Sequence, residues 1–294
     1  MANLKAIRIR IASVKSTRQI TSAMKMVSAA KLRKAQDKIV RLRPYAGKLY
    51  EILVGLTQSL ADADVENIYA RQSSPEKVLL VVITSNRGLC GAFNSNVIRE
   101  TRKVIMEKYE SQFRAGNVWL LPIGKKGFDF FRRLKMNMLP EQNALLNHLT
   151  YDNVEAVASM VMKSFADKEY DRVEIIYNQF KNAAVQNLTT ESFLPVHIQP
   201  AGNAHVASVD YIYEPGKEEI VQDLIPKSLK IQFYKAVLDS YVAEHGARMT
   251  AMHKATDNAT AMIKDLTLVY NKARQAAITN QILEVVSGAE ALRG

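Results

Sequence analysis

The chain has 294 residues, 48% of them hydrophobic and 23% charged, with a net charge of +11 and a single cysteine, Cys90. That composition fits a folded protein of one or two domains, and one cysteine excludes an internal disulfide. No apolar run approaches the ~18 residues that a membrane-crossing helix needs.

The charge is concentrated at the start. Up to residue 48 there are thirteen Lys and Arg side chains against one acid, Asp37, so this segment carries the whole excess. Such a face suits nucleic acid, anionic lipid or an acidic protein partner, or simply water. The segment is also basic, acid-poor and amphipathic, as targeting peptides are. Its apolar rhythm runs on far past their length, so we read it as part of the folded protein. It has no aromatic side chain before Tyr45, which argues against single-stranded nucleic acid.

The spacing predicts one helix from about Asn3 to Gln58. Leu4, Ile7, Ile11 and Val14 open an apolar seam, followed by Ile20, Met24 and Val27, then Leu32, Ala35, Ile39 and Leu42, then Leu49, Ile52 and Leu56. Pro44 is expected to bend it. At ~1.5 Å per residue the helix is on the order of 80 Å long, too long for a small domain to enclose.

The middle changes character. Lys77–Thr84 (KVLLVVIT) is a continuously apolar strand of the buried, parallel kind. A turn, Ser85–Gly91 (SNRGLCG), leads to a helix over Ser95–Tyr109. A second strand, Asn117–Ile123, is followed by the turn Gly124–Gly127 and a helix to Arg133. A third helix spans Tyr151–Lys168, a strand Arg172–Tyr177, and Ala184–Leu194 supplies one or two more strands. Strands alternating with helices give an α/β layer with a mostly parallel sheet. The polar stretch 201–216 carries Tyr211-Ile212-Tyr213-Glu214, a candidate short strand.

From Lys217 to about Leu292 the chain is again helical, on the order of 110 Å. Its seam alternates spacings of 4 and 3 through His245, Met249, Met252, Thr256, Ala259, Ile263, Leu266, Tyr270, Ala273, Ala277 and Asn280. A heptad seam asks for another helix. The expected fold class is therefore α/β: a long antiparallel, left-handed coiled coil of the N- and C-terminal helices plus a Rossmann-like α/β domain. The expected divisions are 1–60, 75–215 and 217–294.

Chemical motifs are sparse. SNRGLCG and Gly124-Lys125-Lys126-Gly127 sit at strand-to-helix turns where backbone N–H groups can hold phosphate, but neither matches GxxxxGK[ST] or GxGxxG, and tight turns explain both. No two of the five histidines stand at i, i+4, and HExxH and GxSxG are absent. No cofactor, metal site or catalytic residue is nominated. Three function classes stay open on these grounds: a mechanical coiled-coil subunit, a basic coiled-coil binder of nucleic acid or membrane, and an enzyme built on the α/β layer.

Three blocks narrow the choice. They are Ile7-Arg8 to Lys31 with Ala23-Met24-Lys25-Met26-Val27 inside it; Arg87-Gly88-Leu89-Cys90-Gly91; and Ala255-Thr256-Asp257-Asn258-Ala259, Tyr270-Asn271-Lys272-Ala273-Arg274-Gln275-Ala276, Ile278-Thr279 and Glu284-Val285-Val286-Ser287-Gly288-Ala289. On these the chain resembles the γ subunits of F-type ATP synthases, the central rotor stalk. It departs from them at Gln281, where members often carry Glu. The resemblance implies a shaft inside the ring of α and β subunits, turned by the proton-driven c-ring and touching the ε subunit, with catalysis on β and no nucleotide site here. It implies β contacts at Met24, Lys25, Arg274, Gln275 and Thr279, and an apolar bearing tip at Val285, Val286, Ala289 and Leu292. Near the c-ring and ε it implies Arg41, Arg43, Tyr211, Tyr213 and Glu214. It implies a peripheral place on the cytoplasmic face of a bacterial inner membrane. The chain lacks the paired-cysteine insert of chloroplast relatives, having only Cys90, and because its first segment does not read as a detachable presequence, a bacterial source is expected.

Overall fold

In the computed structural model the described residues are 4–59, 68–71, 73–196 and 217–292. In chain order they form α1 (Leu4–Ser59), β1 (Val78–Ile83), α2 (Phe93–Lys108), α3 (Glu110–Arg114), β2 (Val118–Ile123), α4 (Lys125–Arg133), α5 (Tyr151–Ala166), β3 (Arg172–Phe180), β4 (Gln186–Leu194) and α6 (Lys217–Ala291). Two short 3-10 turns lie at Ile68–Ala70 and Asn143–Leu146. The chain divides into two compact units, one of residues 29–247 and one pairing 1–28 with 248–294.

The larger unit is a four-stranded sheet in the order β2-β1-β3-β4. β1 runs parallel to β2 and β3, with Val81 beside Leu121 on one side and Ile175 on the other. β4 returns antiparallel to β3 as a hairpin. The unbroken apolar run of β1 has a direct cause: both of its faces are buried. Leu79, Val81 and Ile83 point into one core with Val157, Val161 and Phe165 of α5 and Ile225, Leu229, Phe233 and Val237 of α6. Val78, Leu80 and Val82 point into the other with Val97, Val104 and Ile105 of α2 and Phe131 of α4. Helices on both faces of a mostly parallel sheet are the layered α/β arrangement expected. Ala184–Leu194 resolves into one strand, β4. The helix α3, only five residues long, is too short to leave a periodic signal.

The smaller unit is an antiparallel helix pair. Arg8 Nη2 donates to the Tyr270 hydroxyl at 2.9 Å, and the Thr21 and Thr256 hydroxyls share a hydrogen bond at 2.8 Å. Numbers that rise on α1 fall on α6, so the two run in opposite directions. The α6 seam is as its spacing dictates from Met252 to Ala277, each position buried or half-buried, whereas Asn280 is exposed. On α1 the seam needs correction. Ile20 and Val27 are 60% and 58% exposed, while Thr21 and Ser28 are 8% and 2% exposed. The 3,4 spacing from Leu4 through Ile11 and Val14 leads to Thr21 and Ser28, and geometry overrides hydrophobicity. The cost of burying two hydroxyls is offset because Thr21 bonds Thr256 and Ser28 donates to the Met24 carbonyl at 2.8 Å.

Both proline-containing helices are continuous. α1 includes Pro44 and α6 includes Pro226. Among the described residues no helix is long and apolar enough to cross a membrane.

Candidate functional site

The strand-to-helix turns come first, because a phosphate would bind there. Gly124 has φ 110°, a conformation reserved for glycine, and a Cβ at that position would meet the Thr84 carbonyl at 2.1 Å. This glycine presses the start of α4 onto the end of β1. As a result the first amides of α4 are already engaged. Lys125 N donates to Asn86 Oδ1 at 3.1 Å, Lys126 N to the Ser85 carbonyl at 3.1 Å, and Gly127 N to Thr84 Oγ1 at 2.9 Å. At the other turn Ser85 N donates to Asn94 Oδ1 at 2.9 Å and Phe93 N to the Cys90 carbonyl at 3.3 Å. The α4 amides tie its turn to the end of β1, and the other two bond within residues 85–94, so all five are engaged inside the chain. Among the described residues no group of three or more His, Cys, Asp or Glu side chains is placed to hold a metal.

The helix pair offers a different kind of surface. Arg8 bonds to Tyr270 and its guanidinium carbon stands 5.8 Å from the ring centroid. That bond lowers the Tyr270 phenol pKa and raises that of Arg8, and the charge of nearby Arg274 adds to the effect on the phenol. Arg274, Gln275 and Thr279 are all exposed. Gln275 and Thr279 lie one turn apart, and the Thr279 hydroxyl donates to the Gln275 carbonyl at 3.0 Å. Met24 and Lys25 are half-buried on α1, near the level where Thr21 meets Thr256. Along α6, Arg274 lies eighteen residues beyond Thr256, roughly 27 Å at the helical rise. The structure therefore places the two groups at separate stations on the helix pair.

Past Ala277 the pairing face runs out. Every described residue from Ile278 to Leu292 is exposed, including Val285, Val286, Ala289 and Leu292, the last at 90%. The apolar tip thus has no cover from this chain's described residues. Ile278, Ile282 and Leu283 join it as exposed large apolar side chains. Sequence reasoning omitted them, although their place on a helix beyond the last seam residue was signal enough.

Arg41 and Arg43 lie on the α1 segment of the larger unit, and both are exposed. Arg43 has partners within the chain. Its Nη2 donates to Asp239 Oδ1 at 3.3 Å and to the Phe180 carbonyl at 3.2 Å. Tyr211, Tyr213 and Glu214, and the short strand expected there, lie outside the described residues.

A paired-helix unit in which α6 runs on past Ala277 with every described residue exposed, and a second unit built on a helix-flanked, mostly parallel sheet, define the class: a long-helix α/β protein. The ATP synthase family model matches residues 3–292. The ATP synthase gamma chain of Flavobacterium psychrophilum is 57% identical over the full length of both chains, and that of Flavobacterium johnsoniae 58%. A chain from the central stalk and c-ring structure of Tetrahymena thermophila mitochondrial ATP synthase superposes with a TM-score of 0.57 at 29% identity, covering 80% of this chain and 99% of that one. A chain of the Euglena gracilis mitochondrial enzyme shares the fold at a TM-score of 0.65 and 21% identity, over 98% and 94% of the two chains. The chain belongs to the ATP synthase gamma chain family, the central-stalk subunits of that complex.

Proposed function

We propose that this chain is a rotor shaft that couples ion flow through a c-ring to ATP synthesis or hydrolysis on the β subunits, and that it has no catalytic site of its own. The observation that carries this reading is the helix pair, which gives way to a bare apolar helix at the end of α6. Two unequal helices wound together are stiff and lack rotational symmetry. Torque transmission needs both properties. Apolar contacts at the tip are non-directional, so they do not catch at particular angles as hydrogen bonds would.

In this reading the segments 1–60 and 217–294 are the shaft and 75–215 the foot. Arg274, Gln275 and Thr279 meet a loop of β, where a forked guanidinium suits carbonyl or carboxylate partners. Met24 and Lys25 face an acidic element of β at their own station. Val285, Val286, Ala289 and Leu292 turn in the bearing. Arg41, Arg43, Tyr211, Tyr213 and Glu214 stand near the c-ring and ε. The complex sits on the cytoplasmic face of a bacterial inner membrane, with this chain peripheral.

Reconstitution tests the proposal. Purified chain is mixed with α and β subunits of the same source, and the assembled stoichiometry and ATPase turnover are measured. One copy per ring, with altered turnover, is the expected result. Exclusion from the ring, together with salt-dependent binding to duplex DNA or anionic vesicles, would replace the proposal with a basic-helix binding role.

A further inference from the structure

The larger unit holds a buried charge that none of these contacts uses. The Asp239 side chain on α6 is fully buried, and its Oδ2 has no hydrogen-bond partner. Its Oδ1 is bonded by Arg43 of α1, whose same nitrogen also donates to the Phe180 carbonyl at the end of β3. The charged and titratable groups around this carboxylate come from four elements: Arg43 from α1, Lys235 from α6 itself, Tyr177 from β3 and Glu191 from β4. Burial lifts the Asp239 pKa above the ordinary aspartate value. Arg43 and Lys235 pull it back, and Glu191 adds to the rise.

Arg43 is not locked in with its partner. Its side chain is 46% exposed. It lines a cavity of about 580 Å³ shared with Glu191, Gln232 and Lys235, and a second of about 370 Å³ shared with Asp37, Val40 and Phe180. The guanidinium has room to leave Asp239 without disturbing the core. A second carboxylate, Glu191, lines the larger cavity, held there by the Tyr177 hydroxyl at 2.9 Å and Gln232 Nε2 at 2.7 Å. A buried carboxylate is tolerable as an ion only while a cation stays with it, and a neutral carboxyl makes no such demand.

We propose that Asp239 is a proton-uptake site that sets the position of Arg43. When Asp239 is ionised, the guanidinium is held against α6 and the end of β3. When Asp239 is neutral, the guanidinium turns into the larger cavity toward Glu191. The pair is a two-position latch joining α1, α6 and β4. Its consequence for the foot of a rotor rests on the function proposed above; the latch itself is a property of the isolated chain.

The test is a pH titration of the full-length chain by NMR, with the aspartate carboxyl carbons and arginine side-chain nitrogens labelled. The Asp239 signal, identified by its loss in Asp239→Asn, is expected to titrate above the ~3.9 of a free aspartate. The Arg43 Nε signal, identified by its loss in Arg43→Lys, is expected to move with the same midpoint. In Asp239→Asn the Arg43 signal stays at its low-pH position throughout. Glu191→Gln lowers the midpoint and Lys235→Gln raises it; these two variants carry the test if Asp239→Asn does not fold. An Asp239 midpoint at or below ~3.9, or an Arg43 signal that fails to follow it, overturns the latch. Because no other subunit is present, such a failure leaves the rotor reading untouched.

Discussion

At the scale of single residues, exposure separates what a side chain does for the fold from what it offers a partner. Arg274 is exposed on α6. Arg274→Ala is expected to leave the stability of the chain within about 0.5 kcal/mol of wild type, as surface changes do. In the assembled complex it is expected to lower coupled ATP synthesis about tenfold, the equivalent of one charge-assisted hydrogen bond. Normal synthesis in assembled complexes would remove Arg274 from the β contact. Lys25→Glu is expected to weaken ATP-driven proton pumping by setting like charges together, and vesicle acidification reads this directly. Asp239 belongs to the fold, and its sign differs from that of a surface ion pair. Burial raises its pKa in the folded chain, so the folded state keeps a proton that the unfolded state has already lost. The stability it contributes is full below the unfolded value of ~3.9 and is lost as pH rises through the folded value. The Tm difference between wild type and Asp239→Asn is therefore expected to move in favour of wild type as pH falls from 7 to 4. A difference constant with pH would contradict the shift. The Arg43–Asp239 pair was not legible in the sequence. Its members stand 196 positions apart, and no local pattern links them. Arg274 and the tip residues were nominated through family resemblance, since a lone charged residue on a helix carries no signal of its own.

At the scale of elements, the sequence was readable where one periodicity ruled. β1 is apolar at every position because two cores claim its two faces, and that run was visible from the start. The α6 seam was visible too, because 4,3 spacing holds through Ala277. The α1 seam was misread at Ile20 and Val27, where hydrophobicity and spacing disagree. Two small hydroxyl residues occupy the seam there, and their bonds make that possible. Phe233 shows what the sheet–helix contact is worth. It is fully buried and meets Phe193 edge to face, with centroids 5.4 Å apart. Phe233→Ala is expected to cost about 3–5 kcal/mol in urea unfolding. By contrast, truncation after Ala277 removes only residues that are exposed where described. It is expected to change stability by less than about 1 kcal/mol, and a larger loss would show that the tip packs on this chain after all.

At the scale of the whole molecule, the distribution of function follows from where each unit spends its polar groups. The α/β unit uses its turn amides on itself, with Gly124 pressed on Thr84 and three α4 amides bonded to the loop after β1. The helix pair leaves large apolar side chains exposed beyond its last seam residue. In the function proposed above, this exposed helix surface is what the chain presents to its partners. The central claim is that this surface turns. It is tested most directly by fixing a ring assembled from α and β subunits to a surface and attaching a gold rod to the sheet-bearing unit through a cysteine at exposed Asp152 (Cys90 being buried). On addition of ATP the rod is expected to turn continuously in one direction and to stop when ATP is removed. A rod that stays still while the ring hydrolyses ATP would contradict the account.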